Sequence, residues 1–168
     1  MSIYYITGIP AAGKSAVQAE LVKRGYLAYD SDKDNITSWR HKKTGELVFD
    51  YSKGDNETHL WATRKDKLLE LEKEANGKPV FLCGTSSNRY EIFEVFDKVF
   101  NLVIDEATLR HRLATRTSND YGKDPETLAD ILSWHKAGDE DDLPKDVIKI
   151  DATKPVSEVV DEIISSLS

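Results

Sequence analysis

Gly8-Ile9-Pro10-Ala11-Ala12-Gly13-Lys14-Ser15, close to the amino terminus, is the stretch that decides the fold. It fits the pattern G-x-x-x-x-G-K-[ST]. Ile3-Tyr4-Tyr5-Ile6 before it is a short apolar run that predicts a buried strand. Val17 and Leu21 after it fall on one face of a predicted helix. A strand, a glycine loop and a helix in this order are the context in which the pattern forms a phosphate-binding loop.

The residue types of this loop explain the chemistry that it offers. Backbone N–H groups at a helix N-terminus attract anions, and glycines allow the backbone angles and close approach that this needs. Lys14 can place a cation on the β- and γ-phosphates of a nucleotide, and the Ser15 hydroxyl can bind magnesium. We therefore predict ATP and Mg²⁺ as cofactors, with these nucleotide-binding residues in the loop: Gly8, Ala11, Ala12, Gly13, Lys14, Ser15 and Ala16.

Length and composition limit the other possibilities. A chain of 168 residues predicts one domain over 1–168. The net charge of −7 makes the surface acidic, which disfavours nucleic acid as the main partner. No apolar run has the length of a membrane span, no signal-peptide pattern opens the chain, and the lone Cys83 fits a reducing compartment. We expect a cytoplasmic monomer or homodimer without membrane contact.

Two carboxylates follow the second predicted strand, Tyr26-Leu27-Ala28-Tyr29, in the sequence Asp30-Ser31-Asp32. In open parallel sheets, ligands bind at the carboxyl ends of the strands. Asp30 and Asp32 can therefore face magnesium and a substrate hydroxyl. The alternative is that Asp32 or Asp34 caps a helix.

Residues 33–78 are predicted to form a substrate-binding insertion followed by a helix. Trp39 and Arg40 could stack on a substrate and pair with it, but Trp39 could equally anchor the insertion to the core. Helical spacing predicts the helix over 57–75, with Arg64 on its inner face. An inward arginine needs an anionic partner, which is either a substrate or an internal carboxylate.

A third apolar strand, Val80-Phe81-Leu82-Cys83, leads into a loop with a glycine and several hydroxyl residues. Gly84 and Arg89 of this loop are predicted to bind substrate. The alternative is a polar loop in which Asn88 is the N-cap of a short helix. Together, Arg64 and Arg89 suggest an anionic acceptor, and Trp39 and Trp61 could stack on a planar ring.

A fourth strand over 99–104 precedes a helix that Asp105 is expected to cap. Arg112 and Arg116 are one turn apart on this helix and share a face. The polar, glycine-bearing segment 116–125 after them predicts a lid, whose arginines can neutralise a transferring phosphoryl group. The alternative is a solvated charged face. A fifth strand, over 147–151, and a last helix after Pro155 complete a parallel α/β sheet with helices on both faces.

At Gly8–Ser15, Asp30–Asp32 and Arg112-x-x-x-Arg116, the sequence resembles the small P-loop kinases of the nucleoside-monophosphate-kinase-like group, which includes adenylate, shikimate and gluconate kinases. The resemblance implies an α/β P-loop NTPase fold, a three-layer α/β/α sandwich. Its five-stranded parallel sheet would have the order 2-3-1-4-5, with a substrate-binding insertion after strand two and a lid after strand four.

The resemblance also implies roles for single residues. Asp30 would hold magnesium through water, together with Ser15, and Asp32 would contact the substrate hydroxyl, as the paired aspartates of shikimate kinase do. Arg112 and Pro155 would lie near the nucleotide. The strand that ends at Cys83 departs from the pattern, because it lacks the aspartate that many P-loop proteins place there for magnesium.

We therefore expect an ATP phosphotransferase that acts on a small-molecule acceptor, which could be a nucleotide or another anionic metabolite. Lys14, Asp32 and Arg116 are the predicted catalytic residues, because they can neutralise charge and orient the acceptor. Two alternatives stay open, a polynucleotide or RNA-end kinase and a nucleotide-binding regulatory module without chemistry. A GTP switch is disfavoured, because the sequence lacks the guanine-reading N-K-x-D.

Overall fold

The computed structural model describes residues 2–117, 119–137 and 143–168. The acidic stretch 138–142, which reads in sequence as a solvated connector, lies outside the described residues. In chain order the elements are β1 (Ile3–Thr7), α1 (Lys14–Lys23), β2 (Leu27–Asp30), β3 (Thr37–His41), β4 (Leu47–Val48), β5 (His59–Thr63), α2 (Lys65–Ala75), β6 (Val80–Cys83), α3 (Arg89–Ile92), β7 (Lys98–Val103), α4 (Glu106–Thr115), α5 (Pro125–Ala137), β8 (Ile148–Asp151) and α6 (Val156–Ser165).

Five strands form the main sheet, in the order β2-β6-β1-β7-β8, and every neighbouring pair is parallel. Counted within this sheet alone, the order is 2-3-1-4-5, so the predicted α/β P-loop NTPase fold is confirmed. The other three strands form a separate antiparallel sheet, in the order β4-β3-β5. This small sheet occupies the segment in which the insertion is predicted.

The central strand β1 is buried along its whole length and supplies both apolar layers. Tyr4 and Ile6 belong to a cluster with side chains of α1, α4 and α6. Ile3 and Tyr5 belong to a second cluster, with side chains of α2 and α3. Because successive side chains of a strand point to opposite faces, this alternation shows that helices cover both faces of the sheet.

The helix predicted over 57–75 is wrong in its first part. Residues 59–63 form β5, which pairs with β3 over its full length, and α2 begins only at Lys65. Arg64 has extended backbone angles (φ −86°, ψ 112°) and precedes the helix. Apolar spacing from Leu68 onward is helical, but pairing with β3 decides the structure of the preceding residues, because tertiary contacts override a weak local preference.

Capping chemistry explains three helix boundaries, one of them the predicted cap at Asp105, whereas the Asn88 side chain makes no capping bond at the start of α3. The Asp105 carboxylate accepts a hydrogen bond from the Thr108 N–H at 2.7 Å at the start of α4. Asn76, at φ 51°, ends α2 in the left-handed conformation. Pro125 is the first residue of α5. Among the described residues, no helix has the length and apolar character needed to cross a bilayer.

Gly84, directly after β6, allows two strand ends to come close together. Its φ is +154°, and a Cβ at this position would lie 1.8 Å from the Ser31 Oγ and 2.7 Å from the Ser31 Cβ. Gly84 therefore lets the chain after β2 approach the chain after β6. Gly84 does not line either of the two cavities described below.

The close approach at Gly84 predicts that alanine lowers the free energy of unfolding more at Gly84 than at Gly77. Gly77→Ala should destabilise the fold by about 1 to 2 kcal/mol, because a Cβ at φ +84° is strained but meets no atom within 4 Å. Gly84→Ala should cost roughly 1 to 3 kcal/mol more, because the new methyl overlaps Ser31. Urea unfolding measures both. The added Ser31→Gly change should recover the excess, and equal costs for the two alanine variants would contradict this packing.

Candidate functional site

The phosphate-binding loop runs from the end of β1 to the start of α1. Gly13 has a φ of +103°, a conformation that strains other residues. A Cβ on Gly8 would lie 2.9 Å from the Leu102 carbonyl oxygen of β7. The Lys14 ammonium lies over the loop and donates to the carbonyl oxygens of Gly8 (2.6 Å) and Ile9 (2.8 Å).

A cavity of about 670 Å³, here called the P-loop cavity, lies over this loop. It is lined by the predicted nucleotide-binding residues Ala11 to Ala16, and also by Thr115, Ala152, Lys154, Val156 and Val159. Pro155 lies between two lining residues, at the start of α6. The structure therefore places the loop predicted to border the nucleotide beside the glycine loop.

Arg112 joins these two parts of the P-loop cavity. One guanidinium nitrogen donates to the carbonyl oxygens of Ala11 (3.2 Å) and Ala12 (3.3 Å), and the other donates to that of Ala152 (2.6 Å). The planar fork of an arginine suits such multiple contacts. In this structure, Arg112 positions the phosphate-binding loop against the chain after β8.

A second cavity, of about 1180 Å³, lies between the main sheet and the small sheet. We call it the aromatic cavity, because seven aromatic side chains line it: Trp39, Phe49, Tyr51, Trp61, Tyr90, Tyr121 and Trp134. Its charged lining residues among the described part of the chain are Asp32, Arg89 and Arg116. The two cavities share five lining residues, namely Pro10, Asp32, Thr85, Arg116 and Asn119.

The two predicted carboxylates occupy different positions. Asp32 is exposed and lies on the boundary of both cavities, where its Oδ1 accepts a hydrogen bond from the Trp61 indole N–H at 3.0 Å. Asp30 is turned back to the chain, since its Oδ1 accepts from the Asp32 N–H at 3.0 Å. Asp30 lines neither cavity, and its role as a magnesium ligand stays a prediction.

The loop after β6 is held against β5 by the Asn88 side chain, which sequence reasoning treated only as a helix cap. The Asn88 amide accepts from the Thr63 N–H (2.8 Å) and donates to the Thr63 carbonyl (2.9 Å), as a neighbouring strand would. Ser86 Oγ donates to Asn88 Oδ1 at 3.0 Å. This clamp places Arg89, which is 8% exposed, on the wall of the aromatic cavity.

Trp39 anchors the insertion, which is one of the two readings that the sequence allows. It is 3% exposed, and its indole N–H donates to the Tyr51 carbonyl oxygen at 2.8 Å. Its ring packs against Tyr51 and Trp61 with centroids 5.3 and 5.2 Å away. Gly54 leaves room for the indole, because a Cβ there would lie 2.2 Å from it. The same ring forms part of the aromatic cavity wall.

Two predicted substrate-binding arginines have protein partners and line neither cavity. Arg40 forms a paired contact with Glu91 at 3.0 and 3.1 Å, and this hydrogen bonding holds the pKa of Glu91 below its usual range. Arg64 donates to Asp66 (2.8 Å) and to the Asn35 carbonyl (3.1 Å). Their substrate roles stay predictions, but their contacts here are structural.

Arg116 follows α4 and lies on the boundary of both cavities. One of its terminal nitrogens donates to the Tyr121 carbonyl, which holds the side chain beside segment 119–125. Its buried Nε has no hydrogen-bond partner. Arg112 and Arg116 thus differ in position, because one contacts the loop backbone and the other faces the junction of the cavities.

The donor set fits magnesium held with a nucleotide. The described residues contain no cluster of three or more His, Cys, Asp or Glu side chains suited to a metal. Magnesium bound with phosphates needs only one or two protein ligands, since phosphate oxygens and water supply the rest. The exposed Ser15 hydroxyl in the P-loop cavity and the carboxylate of Asp32 offer such ligands. Burial raises the pKa of the Cys83 thiol, which is typical of a structural rather than a reactive cysteine.

Comparison with known proteins agrees with this geometry. The sequence profile of the AAA domain family matches residues 5–141. The chain belongs to the AAA domain family. The match covers most of the chain, including the glycine loop, β2 and α4, and no curated protein gives a significant match.

Solved structures show the same fold at low sequence identity. Shikimate kinase from Aquifex aeolicus is 21% identical, with a TM-score of 0.61, over 98% of this chain and 95% of that one. A gluconokinase from Sinorhizobium meliloti is 20% identical, with a TM-score of 0.55, over 99% and 91%. A sugar kinase from a Janibacter species is 13% identical, with a TM-score of 0.57, over 98% and 93%. The predicted resemblance to small P-loop kinases is confirmed as a resemblance of fold.

The Asn88 clamp predicts a large loss of stability from one small change. Asn88→Ala should destabilise the fold by about 2 to 4 kcal/mol, because it leaves the N–H and carbonyl of the buried Thr63 without these partners. Ser87→Ala is the control, since its exposed side chain is not needed for the bond from its N–H to the Trp61 carbonyl. Urea unfolding of both variants measures the difference. A loss below 1 kcal/mol for Asn88→Ala would contradict the clamp.

Proposed function

We propose that this chain is a magnesium-dependent ATP phosphotransferase that phosphorylates a small-molecule acceptor. The observation that carries the proposal is the meeting of two cavities at Asp32 and Arg116. A nucleotide with its phosphates on the glycine loop would direct its terminal phosphate towards this boundary. An acceptor in the aromatic cavity would reach the same boundary from the other side.

The proposed reaction needs few groups. The bond between the γ-phosphorus and the β,γ-bridging oxygen breaks, a new bond forms to an acceptor oxygen, and ADP leaves. When the acceptor is a hydroxyl, Asp32 accepts its proton. Lys14 and Arg116 neutralise charge on the phosphoryl oxygens, and positioning supplies most of the remaining rate enhancement. Magnesium, when bound, would add charge neutralisation at the phosphates, with Ser15 as a ligand and Asp30 or Asp32 as the nearby carboxylate.

Trp61 positions Asp32 in this proposal. Its indole N–H directs one carboxylate oxygen and leaves the other for the acceptor. The ladder between β3 and β5 places Trp61 directly opposite Trp39, so the buried anchor of the small sheet fixes the donor.

The similar folds support this class of reaction. The solved structures with TM-scores above 0.5 include a shikimate kinase, a gluconokinase and a sugar kinase. Each is named for a small acceptor, so this arrangement of strands and glycine loop suits phosphoryl transfer to small molecules. The net charge of −7 favours such an acceptor over a polynucleotide.

Loss of the loop cation should remove activity. Lys14→Ala should lower acceptor-dependent ADP formation by about a thousandfold or more, because the Lys14 ammonium is the cation proposed to neutralise the β- and γ-phosphates. Lys23→Ala, at the exposed end of the same helix, is the control and should retain activity. A coupled ADP assay with excess magnesium measures both. Unchanged turnover in Lys14→Ala would contradict the mechanism, and no turnover with any acceptor would contradict the proposed function.

The Trp61 contact predicts a selective effect on turnover. Trp61→Phe keeps an aromatic ring but loses the N–H, which should lower kcat on the order of tenfold, the equivalent of about 1.4 kcal/mol. ATP binding should be unchanged, because Trp61 does not line the P-loop cavity. The loss should appear in kcat, with the KM for ATP unchanged. An unchanged kcat, or a loss confined to the KM for ATP, would contradict the positioning role.

A further inference from the structure

We propose that the acceptor is a planar aromatic or heteroaromatic ring joined to an anionic group, and this rests on the proposed function. The aromatic cavity carries the inference. Its lining holds seven aromatic rings beside polar side chains, and a non-planar hydroxylated acid would leave the faces of those rings uncovered. The positions of the rings, their exposure and the local charge each point to the same ligand chemistry.

All exposed aromatic side chains among the described residues face this one cavity. Phe49, Tyr51, Tyr90, Tyr121 and Trp134 are 43 to 67% exposed, and each lines it. The remaining aromatic residues are buried or half-buried. Exposed aromatic surface is unfavourable in water, so its concentration at one concave site indicates a ligand that covers it.

The rings come from separate elements that surround the cavity. Phe49 and Tyr51 follow β4 in the small sheet, while Tyr121 and Trp134 belong to the segment after α4 and to α5. Tyr90 is part of α3, beside Arg89. A flat ligand can therefore contact rings from the small sheet and rings from the lid side together. Stacking of a base on an aromatic side chain contributes about 1 to 3 kcal/mol.

Three rings at the back of the cavity are held in place by their packing and by hydrogen bonds. Trp39, Tyr51 and Trp61 pack with ring centroids 5.1 to 5.3 Å apart. Trp39 is locked by its bond to the Tyr51 carbonyl, and Trp61 by its bond to Asp32. A ligand that stacks here meets a preorganised surface, which lowers the entropy lost on binding. It also lies beside the carboxylate proposed to orient its reacting oxygen.

The charges indicate an anionic group on the same ligand. Two arginines, Arg89 and Arg116, and one carboxylate, Asp32, are the charged lining residues in the described chain, so cationic side chains outnumber carboxylates on this wall of an acidic protein. Arg89 is almost fully buried on the wall. A buried guanidinium is suited to a phosphate or carboxylate, because its fork of donors matches two anionic oxygens.

Binding can be followed without activity, because all three tryptophans of the chain, Trp39, Trp61 and Trp134, line this cavity. Titrate the full chain, without ATP, with three sets of probes and record tryptophan fluorescence. The first set carries a planar ring and an anion, namely the four common nucleoside 5′-monophosphates and nicotinate. The second, ribose 5-phosphate, carries the anion alone. The third, shikimate and gluconate, consists of non-planar hydroxylated acids.

The proposal predicts saturable quenching by at least one probe of the first set, with at least tenfold weaker binding of the other two sets. Phosphates and carboxylates within the first set separate the two sources of the anion. Tyr90→Leu should weaken binding of that probe about fivefold or more, while Tyr90→Phe should not. Leu69→Ala, an exposed apolar change on α2 outside the cavity, is the control.

Three outcomes would overturn the inference: tighter binding of shikimate, gluconate or ribose 5-phosphate, equal effects of the two Tyr90 variants, or a dimer whose dissociation alone exposes the rings. The same probes are then assayed with Mg-ATP. Phosphorylation of a non-planar acid would overturn the acceptor class while leaving the proposed function standing. Quenching by a ring anion that none of the probe assays phosphorylates would support the recognition of the ring and count against phosphoryl transfer.

Discussion

Two backbone hydrogen bonds at the edge of the main sheet determine where the site lies. The Ser31 N–H donates to the Cys83 carbonyl at 2.9 Å, and the Gly84 N–H donates to the Ile6 carbonyl at 3.0 Å. These bonds continue the parallel pairing of β2, β6 and β1 by one residue past the ends of β2 and β6. Pro10, Asp32 and Thr85, one from the chain after each strand, therefore meet on the shared boundary of the two cavities.

The small antiparallel sheet and the turn between its strands carry the packed aromatic wall of the site. They supply Trp39, Tyr51 and Trp61 as a packed group, and the Asn88 clamp ties the sheet to the loop after β6. The clamp and the strand pairing hold the small sheet in a fixed relation to the glycine loop. Trp61 both packs in this aromatic group and donates a hydrogen bond to Asp32, so it connects the position of the rings with the orientation of the Asp32 carboxylate.

Much of the main sheet could be predicted from the sequence, because its signals are local. The strand before the glycine loop, the Asp105 cap and the Asn76 end of α2 each depend on a few neighbouring residues. The small sheet could not be predicted in the same way, because β5 becomes a strand only through pairing with β3, about twenty residues earlier. The apolar residues of β5 and of α2 continue at helical spacing, so the sequence predicts a helix that begins several residues too early.

The residues of the site also differ in whether the sequence alone could identify them. The glycine loop, Asp32 and Arg116 could be found from spacing and from the ends of strands, and the structure brings them together at one boundary. The sequence could not show that Arg40 pairs with the protein and not with a ligand, because its partner Glu91 lies fifty-one residues further along the chain. The rings at Tyr90, Tyr121 and Trp134 carry no motif, and only the folded chain shows that they share a cavity.

A crystal structure with magnesium, a non-hydrolysable ATP analogue and a ring-bearing anion would test the central claim most directly. We predict the β- and γ-phosphates on the glycine loop and the ring among the side chains of the aromatic cavity. The acceptor oxygen should lie roughly 3 to 3.5 Å from the γ-phosphorus, beside Asp32 and Arg116, as phosphoryl transfer requires. A nucleotide whose terminal phosphate points away from this boundary, or an acceptor bound elsewhere, would contradict the account.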